Sequence, residues 1–436
     1  MTLKVVVIGG GSSYTPEIIE GMILRYDAFP VTDIVLVDIE AGKGKLEIVG
    51  RLAARMIEEA EKPINLSWTL DRKQALEGAD FVTTQIRVGG LQARASDERI
   101  PLSHGYIGQE TNGAGGALKA FRTIPVLMDI ARDIHDICPD AWMINFTNPA
   151  GMVTEALLKH SAHDKVIGVC NIPYNMRHSV AEIMNVDPST VRIEFVGMNH
   201  FVFGRNVFVN GINRTEEVLE KLAGDDLDYS PANIVSLGWS KTFIAATRLL
   251  PNPYHEYYFH TREVLKKDIQ AFEAHGTRAE VVQQLEGSLF ELYRNPDLRV
   301  KPKELEQRGG AYYSDVACSL MDSIYNDKGD IQTVNTSNHG AISDFADDSV
   351  IEVNCVITKD GPKPLAIGKL PYQVKGAIQH MKAFEELVIQ AAINGSYEDA
   401  YLAFLMNPLV ADEESSKILL DEMLAANQAY LPQFQK

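Results

Sequence analysis

A chain of 436 residues with 45% hydrophobic content is long enough for two or three domains with sizeable cores. Its net charge of −18 and pI near 5.1, with no basic block to offset them, exclude a nucleic-acid or anionic-membrane partner, so an anionic substrate must be held by a few local arginines. Four widely spaced cysteines suit reduced thiols, no apolar run reaches membrane-span length, and the N-terminus enters a core strand without a leader pattern; the cytoplasm is the expected location.

Residues 3–8 form the first predicted strand, and Gly9-Gly10-Gly11-Ser12-Ser13 then breaks into an amphipathic segment. This is the strand, turn and helix of a dinucleotide site: Gly9 allows the tight turn, Gly11 lets the backbone approach a pyrophosphate, and the helix-opening amides face negative charge. Tyr14 stands where the third glycine of Gly-x-Gly-x-x-Gly belongs. A second strand, 34–37, ends in Asp38, which can accept the ribose hydroxyls of NAD and would repel the extra phosphate of NADP, although it also reads as a surface turn acid. Strands at 81–86, 142–146 and 166–170 follow, with helical stretches such as 45–61 and 120–137 between them. The alternation predicts an α/β, Rossmann-like doubly wound parallel sheet with ligands at the carboxyl ends of its strands. Arg87, Asn145 to Pro149 and Cys170 to Pro173 lie at those ends.

Near residue 190 the pattern changes. Residues 191–209 alternate apolar and polar in two runs and then reach Asn210-Gly211, a hairpin signal. The expected division is a nucleotide-binding domain over 1–190 and a C-terminal α+β domain over 191–436, with helices at 278–292 and 374–393 and a strand at 349–357. The cleft between the two is the default site.

Cys170 and His200 end separate strands, and such soft-to-borderline ligands can together hold one divalent metal. Singly, each also reads as a core residue. No third and fourth ligand stands near, so a closed structural zinc is excluded. In LLPNPYHEYYF (249–259), Asn252-Pro253 fixes the chain ahead of Tyr254 and can aim that phenol into a cleft, though tyrosines so spaced also serve as core or rim residues. Glu110 lies in a glycine-rich loop that ordinary core packing does not require, and it too has a plain surface reading.

Taken together these residues resemble the NAD-dependent glycoside hydrolases of family 4, and within them the bacterial 6-phospho-β-glucosidases. The likeness runs nearly end to end, through IGGGSSYTPE, IGQETNG, NFTNPAG, CNIP, GMNH, NPY, TRAE, RGGAYYSD and the late VNT. The resemblance implies that Cys170 and His200 bind a divalent metal, manganese (Mn2+), that Tyr254 is the general base, and that Glu110 tunes its basicity. It gives Arg94, Asn148 and Asn171 to the substrate, Arg278 to its phosphate, and Gly9, Gly10, Gly11, Ser12, Ser13 and Asp38 to NAD. A homodimer or homotetramer acting on a phosphorylated disaccharide or an aryl β-glucoside 6-phosphate is expected on the same ground.

Family 4 stands outside the two-carboxylate glycosidase scheme. The resemblance implies oxidation at C3 of the sugar, deprotonation at C2, elimination of the leaving alcohol, water addition and re-reduction. In the family's α-acting members the motif is Cys-Asp-Met-Pro, whose Asp can protonate an α leaving group. Asn171 has no such proton to give, which points to the β anomer. The competing readings are a family 4 α-glycosidase, an NAD-dependent 2-hydroxy-acid dehydrogenase, and a non-catalytic NAD sensor.

Overall fold

The computed structural model describes residues 2–224, 234, 236–308 and 312–435. Short β-branched runs build one half of its main sheet: β1 (Lys4–Ile8), β2 (Asp33–Val37), β3 (Asn65–Thr69), β4 (Phe81–Thr84), β5 (Trp142–Asn145) and β6 (Val166–Gly168). They pair in the order β6-β5-β4-β1-β2-β3, parallel throughout. Val5, Val6 and Val7 are fully buried in succession, as a strand covered by helices on both faces requires. β3 is absent from the sequence expectations for a physical reason: NLSWT is an edge strand with no buried residue, so it carries no apolar pattern.

Three predicted strands end early. β4, β5 and β6 stop at Thr84, Asn145 and Gly168, and the residues beyond them, Gln85, Ile86 and Phe146 among them, leave the sheet and line a cleft. The helix predicted over 120–137 starts at Gly113 instead. Its first turn is rich in glycine, a poor helix former. That glycine is needed for packing: a Cβ on Gly115 would stand 2.4 Å from the Gln109 carbonyl oxygen, and one on Gly116 2.5 Å from that of Thr111. In the Glu110 loop itself a Cβ on Gly108 would stand 2.0 Å from the Glu98 carbonyl oxygen, so the expectation that packing does not require that glycine-rich loop is corrected.

The division expected near residue 190 does not separate two sheets. β7 (Val191–Met198), β8 (Phe201–Val209) and β9 (Ile212–Asn213) form a small antiparallel sheet, but β10 (Ile331–Ser337), β11 (Val350–Thr358) and β12 (Gly361–Pro364) extend the main one to nine strands. β10 joins it antiparallel to β6 at Asn335–Gly168. Asn354 on β11 clamps the small sheet, donating to the Ile193 carbonyl at 3.0 Å and accepting from the Phe195 amide at 2.9 Å. Asn210-Gly211 turns β8 into β9, while β7 and β8 are joined by Asn199-His200, with His200 at φ +60°. Left-handed φ is enriched in His among non-glycine residues, so the tight turn itself presents this imidazole. No helix among the described residues is long and apolar enough to cross a membrane.

Candidate functional site

A cleft of about 1570 Å³ opens at the carboxyl ends of β1, β2, β4 and β5, and its opposite wall comes from the C-terminal half through Tyr254, Arg278, Glu286, Arg308 and Tyr313. Gly9, Gly11, Ser12 and Asp38 line it. Gly9 has φ +88°, and a Cβ there would meet the Gln85 carbonyl oxygen at 2.7 Å. Asp38 Oδ2 accepts the Gly11 amide and Oδ1 the Ile39 amide, both at 2.8 Å. Two of the roughly four lone-pair positions of this carboxylate are thereby used and the rest are left for a ligand. Gly10 and Ser13 are set back from the wall: a Cβ on Gly10 would stand 2.7 Å from Leu36 Cβ, and Ser13 is fully buried with its hydroxyl donating to Glu286. Those two shape the loop from behind.

The cleft floor is built around Glu110. Gln109 Oε1 accepts the Thr111 and Asn112 amides at 2.6 and 2.8 Å, which folds the loop so that the Glu110 carboxylate meets three cations. Arg87 pairs with it, Arg94 Nη1 lies at 3.0 Å and Lys119 Nζ at 2.9 Å. Burial alone would raise this carboxyl, but the three cations hold it well below the usual carboxylate range. Lys119 is pushed down to about 7 by burial, against the pull of Glu110. Arg94 also donates to Glu98 at 2.6 Å, and Glu98 accepts the Ala279 amide at 2.8 Å, tying the floor to the start of the helix Arg278–Arg294. Arg278, the first residue of that helix, projects into the cleft with no hydrogen bond from its guanidinium among the described residues.

Above the floor, Asn252 caps a short 3-10 turn, its Oδ1 accepting the Tyr254 amide at 2.8 Å while His255 Nδ1 accepts the Asn252 amide at 3.0 Å. The turn fixes the phenol of Tyr254, whose ring stacks on His200 at 3.9 Å between centroids and 18° between planes. Burial, and after it the neighbouring Cys170 and Glu110, push the Tyr254 phenol above its ordinary value. Burial and the Lys119 charge lower His200 to about 3, keeping its ring neutral. Burial and Glu352 raise the Cys170 thiol, whose sulfur is hydrogen-bonded by Asn199. Cys170 and His200 sit behind Tyr254 and Asn171, only 8% and 5% exposed. Asn148 and Asn171 line the cleft itself.

His255 carries a separate consequence. Burial pushes it down to about 3, whereas an unfolded chain takes up that proton near its ordinary value of about 6.5. Between those values the unfolded state binds more protons, so stability falls as pH falls, by up to about 1.4 kcal/mol per pH unit for this one group. Thermal melts from pH 7 to 4 should therefore show a Tm decline that is shallower in His255→Asn than in the wild type.

Most of the sequence motifs thus border one cleft, and further residues that were not singled out for a role, some of them within those motifs, join them. Lys119, Glu286, Arg308, Phe146 and Tyr313 all line the cleft. Tyr313 stacks on Phe146 at 3.7 Å, and Arg308 lies 4.3 Å from the centre of the Tyr14 ring. Glu286 gathers Ser13, Lys45 and Arg308, joining the glycine loop to the Arg278 helix. Of these, Arg308 and Tyr313 fall within the RGGAYYSD motif; residues 309–311 of that motif lie outside the described residues.

Comparison with known proteins agrees with this geometry. Residues 4–186 match the profile described as "Family 4 glycosyl hydrolase", and 195–410 that described as "Family 4 glycosyl hydrolase C-terminal domain". A Bacillus subtilis (strain 168) protein named "Probable 6-phospho-beta-glucosidase" is 55% identical over 432 residues, covering 99% of this chain and 98% of its own length. The "6-phospho-beta-glucosidase" of Escherichia coli (strain K12) is 49% identical, covering 99% and 97%. The structure of the 6-phospho-beta glucosidase from Thermotoga maritima with manganese, NAD+ and glucose-6-phosphate superposes with a TM-score of 0.88 at 33% identity, over 98% of this chain and 99% of that one. The chain belongs to the family 4 glycosyl hydrolases.

Proposed function

We propose that this chain is a 6-phospho-β-glucosidase, hydrolysing 6-phospho-β-D-glucosides such as cellobiose-6-phosphate with NAD and a divalent metal, Mn2+, in its cleft. One observation carries the reading: a buried phenol stacked on a neutral imidazole, beside a thiol and above a caged carboxylate, at the mouth of a dinucleotide-type loop. When bound, NAD+ supplies reversible hydride removal from the sugar, and the metal polarises the neighbouring oxygens as a Lewis acid.

The chain's own groups then divide the work. Gly9, Gly11, Ser12 and Asp38 receive the cofactor, with Gly10 and Ser13 shaping their loop. Cys170 and His200 hold the metal, and the donors fit: a neutral imidazole is the ligating form, and Asn199 already supplies a hydrogen bond to the sulfur. Among the described residues no group of three or more His, Cys, Asp or Glu could hold a metal. Two protein donors leave positions open for substrate oxygens, as a catalytic site needs. Tyr254 takes the C2 proton; burial raises that phenol's pKa most, and Glu110, held ionised by its three cations, adds to it, so the phenolate is the stronger and scarcer base.

The phosphate has a reason in the charges. On a chain of net charge −18, this part of the cleft gathers Arg87, Arg94, Lys119 and Arg278 around Glu110, with Glu98 and Asp97 beside them. That surplus of positive charge suits an anionic sugar, and Arg278 has the unengaged guanidinium to receive it. Asn148 and Asn171 offer amides to the sugar hydroxyls.

Cellobiose-6-phosphate should be cleaved only with NAD+ and Mn2+ present, without build-up of NADH at 340 nm, and in heavy water the released glucose-6-phosphate should carry deuterium at C2. One equivalent of NADH per product would instead indicate a dehydrogenase. The anomer follows from Asn171, which gives no acid assistance to an α leaving group. Maltose-6-phosphate should therefore not be cleaved, and the reverse preference would make the chain an α-glycosidase by the same chemistry.

A further inference from the structure

Beside His200 lies a cavity of about 20 Å³, walled in part by Met152, Asn112, Asn199, His200 and Glu385. That is room for one water, which is retained where two or more polar groups face it. Glu385, on the helix Lys375–Asn394, is 4% exposed. Its Oε2 accepts from Lys382 Nζ at 2.7 Å, and the same ammonium donates to Glu155 at 2.7 Å and to the Val350 carbonyl at 2.8 Å. Its Oε1 accepts no hydrogen bond among the described residues.

The other polar walls are engaged. Asn199 donates to Glu352 Oε1 at 3.1 Å and accepts the Gly151 amide at 3.3 Å, and Asn112 Oδ1 accepts the Tyr258 hydroxyl at 3.2 Å. His200 is different: its ring is stacked on Tyr254, yet its nitrogens make no hydrogen bond among the described residues. A histidine that binds a metal through one nitrogen ordinarily has the other fixed by a carboxylate, a carbonyl or a water, which sets the tautomer and the ring orientation. A cavity that admits a single water and is lined by both His200 and Glu385 brings an imidazole and a carboxylate oxygen, each without a hydrogen bond there among the described residues, to the wall of one water site.

We propose that one water in this cavity joins Glu385 to the ring nitrogen of His200 turned away from the metal, making Glu385 a positioning residue for the imidazole. The proposal rests on the reading of His200 as a metal ligand. It assigns a function to a buried ion network on a C-terminal helix, far in sequence from every motif of the cleft.

The test uses the full-length, NAD-free protein and Mn2+ alone, titrated by electron paramagnetic resonance. Glu385→Gln should weaken Mn2+ binding about 10–100-fold. Because this change also disturbs the pairing of Lys382, the double variant Lys382→Met/Glu385→Leu is the control: it removes both partners, and Glu155, which loses Lys382, keeps Lys159 at 2.7 Å and the Val350 amide at 2.9 Å. Mn2+ binding should stay weak in this variant too, where no unpaired Lys382 remains to account for it. Mn2+ affinity within about twofold of wild type in both variants would overturn the proposal. A second readout needs no metal: the ring 15N shifts of His200 should report one tautomer in the wild type and a mixture in the double variant, and an unchanged single tautomer would also overturn it. A wild type that takes up no Mn2+ would strike the metal assignment itself, and the tautomer measurement would still decide whether Glu385 orients the ring.

Discussion

Replacing Tyr254 by phenylalanine should lower kcat by about 10²–10⁴-fold, the usual contribution of a positioned general base, while leaving the Kd for NAD unchanged. The structure makes this a clean deletion. Phenylalanine keeps the ring stacked 3.9 Å from His200 and keeps its place in the apolar cluster that also contains Cys170. Only the hydroxyl is lost, with its hydrogen bond to Thr111. NAD affinity should hold because Gly9, Gly11 and Asp38 belong to other elements and share no hydrogen bond with Tyr254. A competitor for the role is Tyr257, whose ring lies 6.2 Å away and whose phenol is raised well above its ordinary value by burial and the Asp268 charge. Normal turnover in Tyr254→Phe together with a dead Tyr257→Phe would transfer the role to Tyr257. The wild type should also gain activity toward alkaline pH, since a phenol raised above about 10 is almost wholly protonated at neutrality.

Local chemistry was legible in the sequence, and long-range assembly was not. The glycine loop, Asp38, the ends of β4 to β6 and the Asn252-Pro253-Tyr254 turn are each encoded within a few adjacent residues, where turn and strand chemistry act. All of them reach one cleft. By contrast, the junction of β10 with β6 pairs Asn335 with Gly168, and no local pattern in either segment announces it. The same limit hid Lys119: it lies in the helix Gly113–Ile137, and only the fold shows that its ammonium turns toward Glu110. Glu286 was hidden likewise, because its meaning lies in three partners drawn from Ser13, Lys45 and Arg308. Within the loop, facing was not legible either. Gly10 and Ser13 sit inside the glycine loop, yet the chain turns them onto β2 and Glu286 and away from the cleft. A motif fixes which residues occur together, while the side on which each faces depends on packing against elements elsewhere.

Cys170→Ser should lose more than about 10²-fold in Mn2+-dependent activity and should no longer retain Mn2+ on purification, because a serine hydroxyl does not ionise in place of a thiolate. In the metal-free fold, burial and Glu352 raise the Cys170 thiol, so metal uptake must displace its proton and should weaken as pH is lowered. The other three cysteines provide the contrast. Cys318 and Cys355 are fully buried, and Cys138 lies at the C-terminal end of the helix Gly113–Ile137, outside the cleft lining. Serine at Cys318 or Cys355 places a hydroxyl in an apolar core at a cost of about 1–3 kcal/mol, eased where it can donate to the Ile18 or Val353 carbonyl that the thiol now approaches. Those variants should therefore melt earlier yet keep wild-type manganese content and turnover, and Cys138→Ser should do the same with a smaller loss of Tm. Oxidation should sort the thiols in the same way. Cys170 adjoins Asn171 on the cleft wall, but burial holds its thiol protonated, so peroxide should inactivate the enzyme through this residue slowly at neutral pH and faster as pH is raised. Unchanged manganese in Cys170→Ser, or peroxide inactivation that persists in that variant's residual activity, would move the metal to another donor.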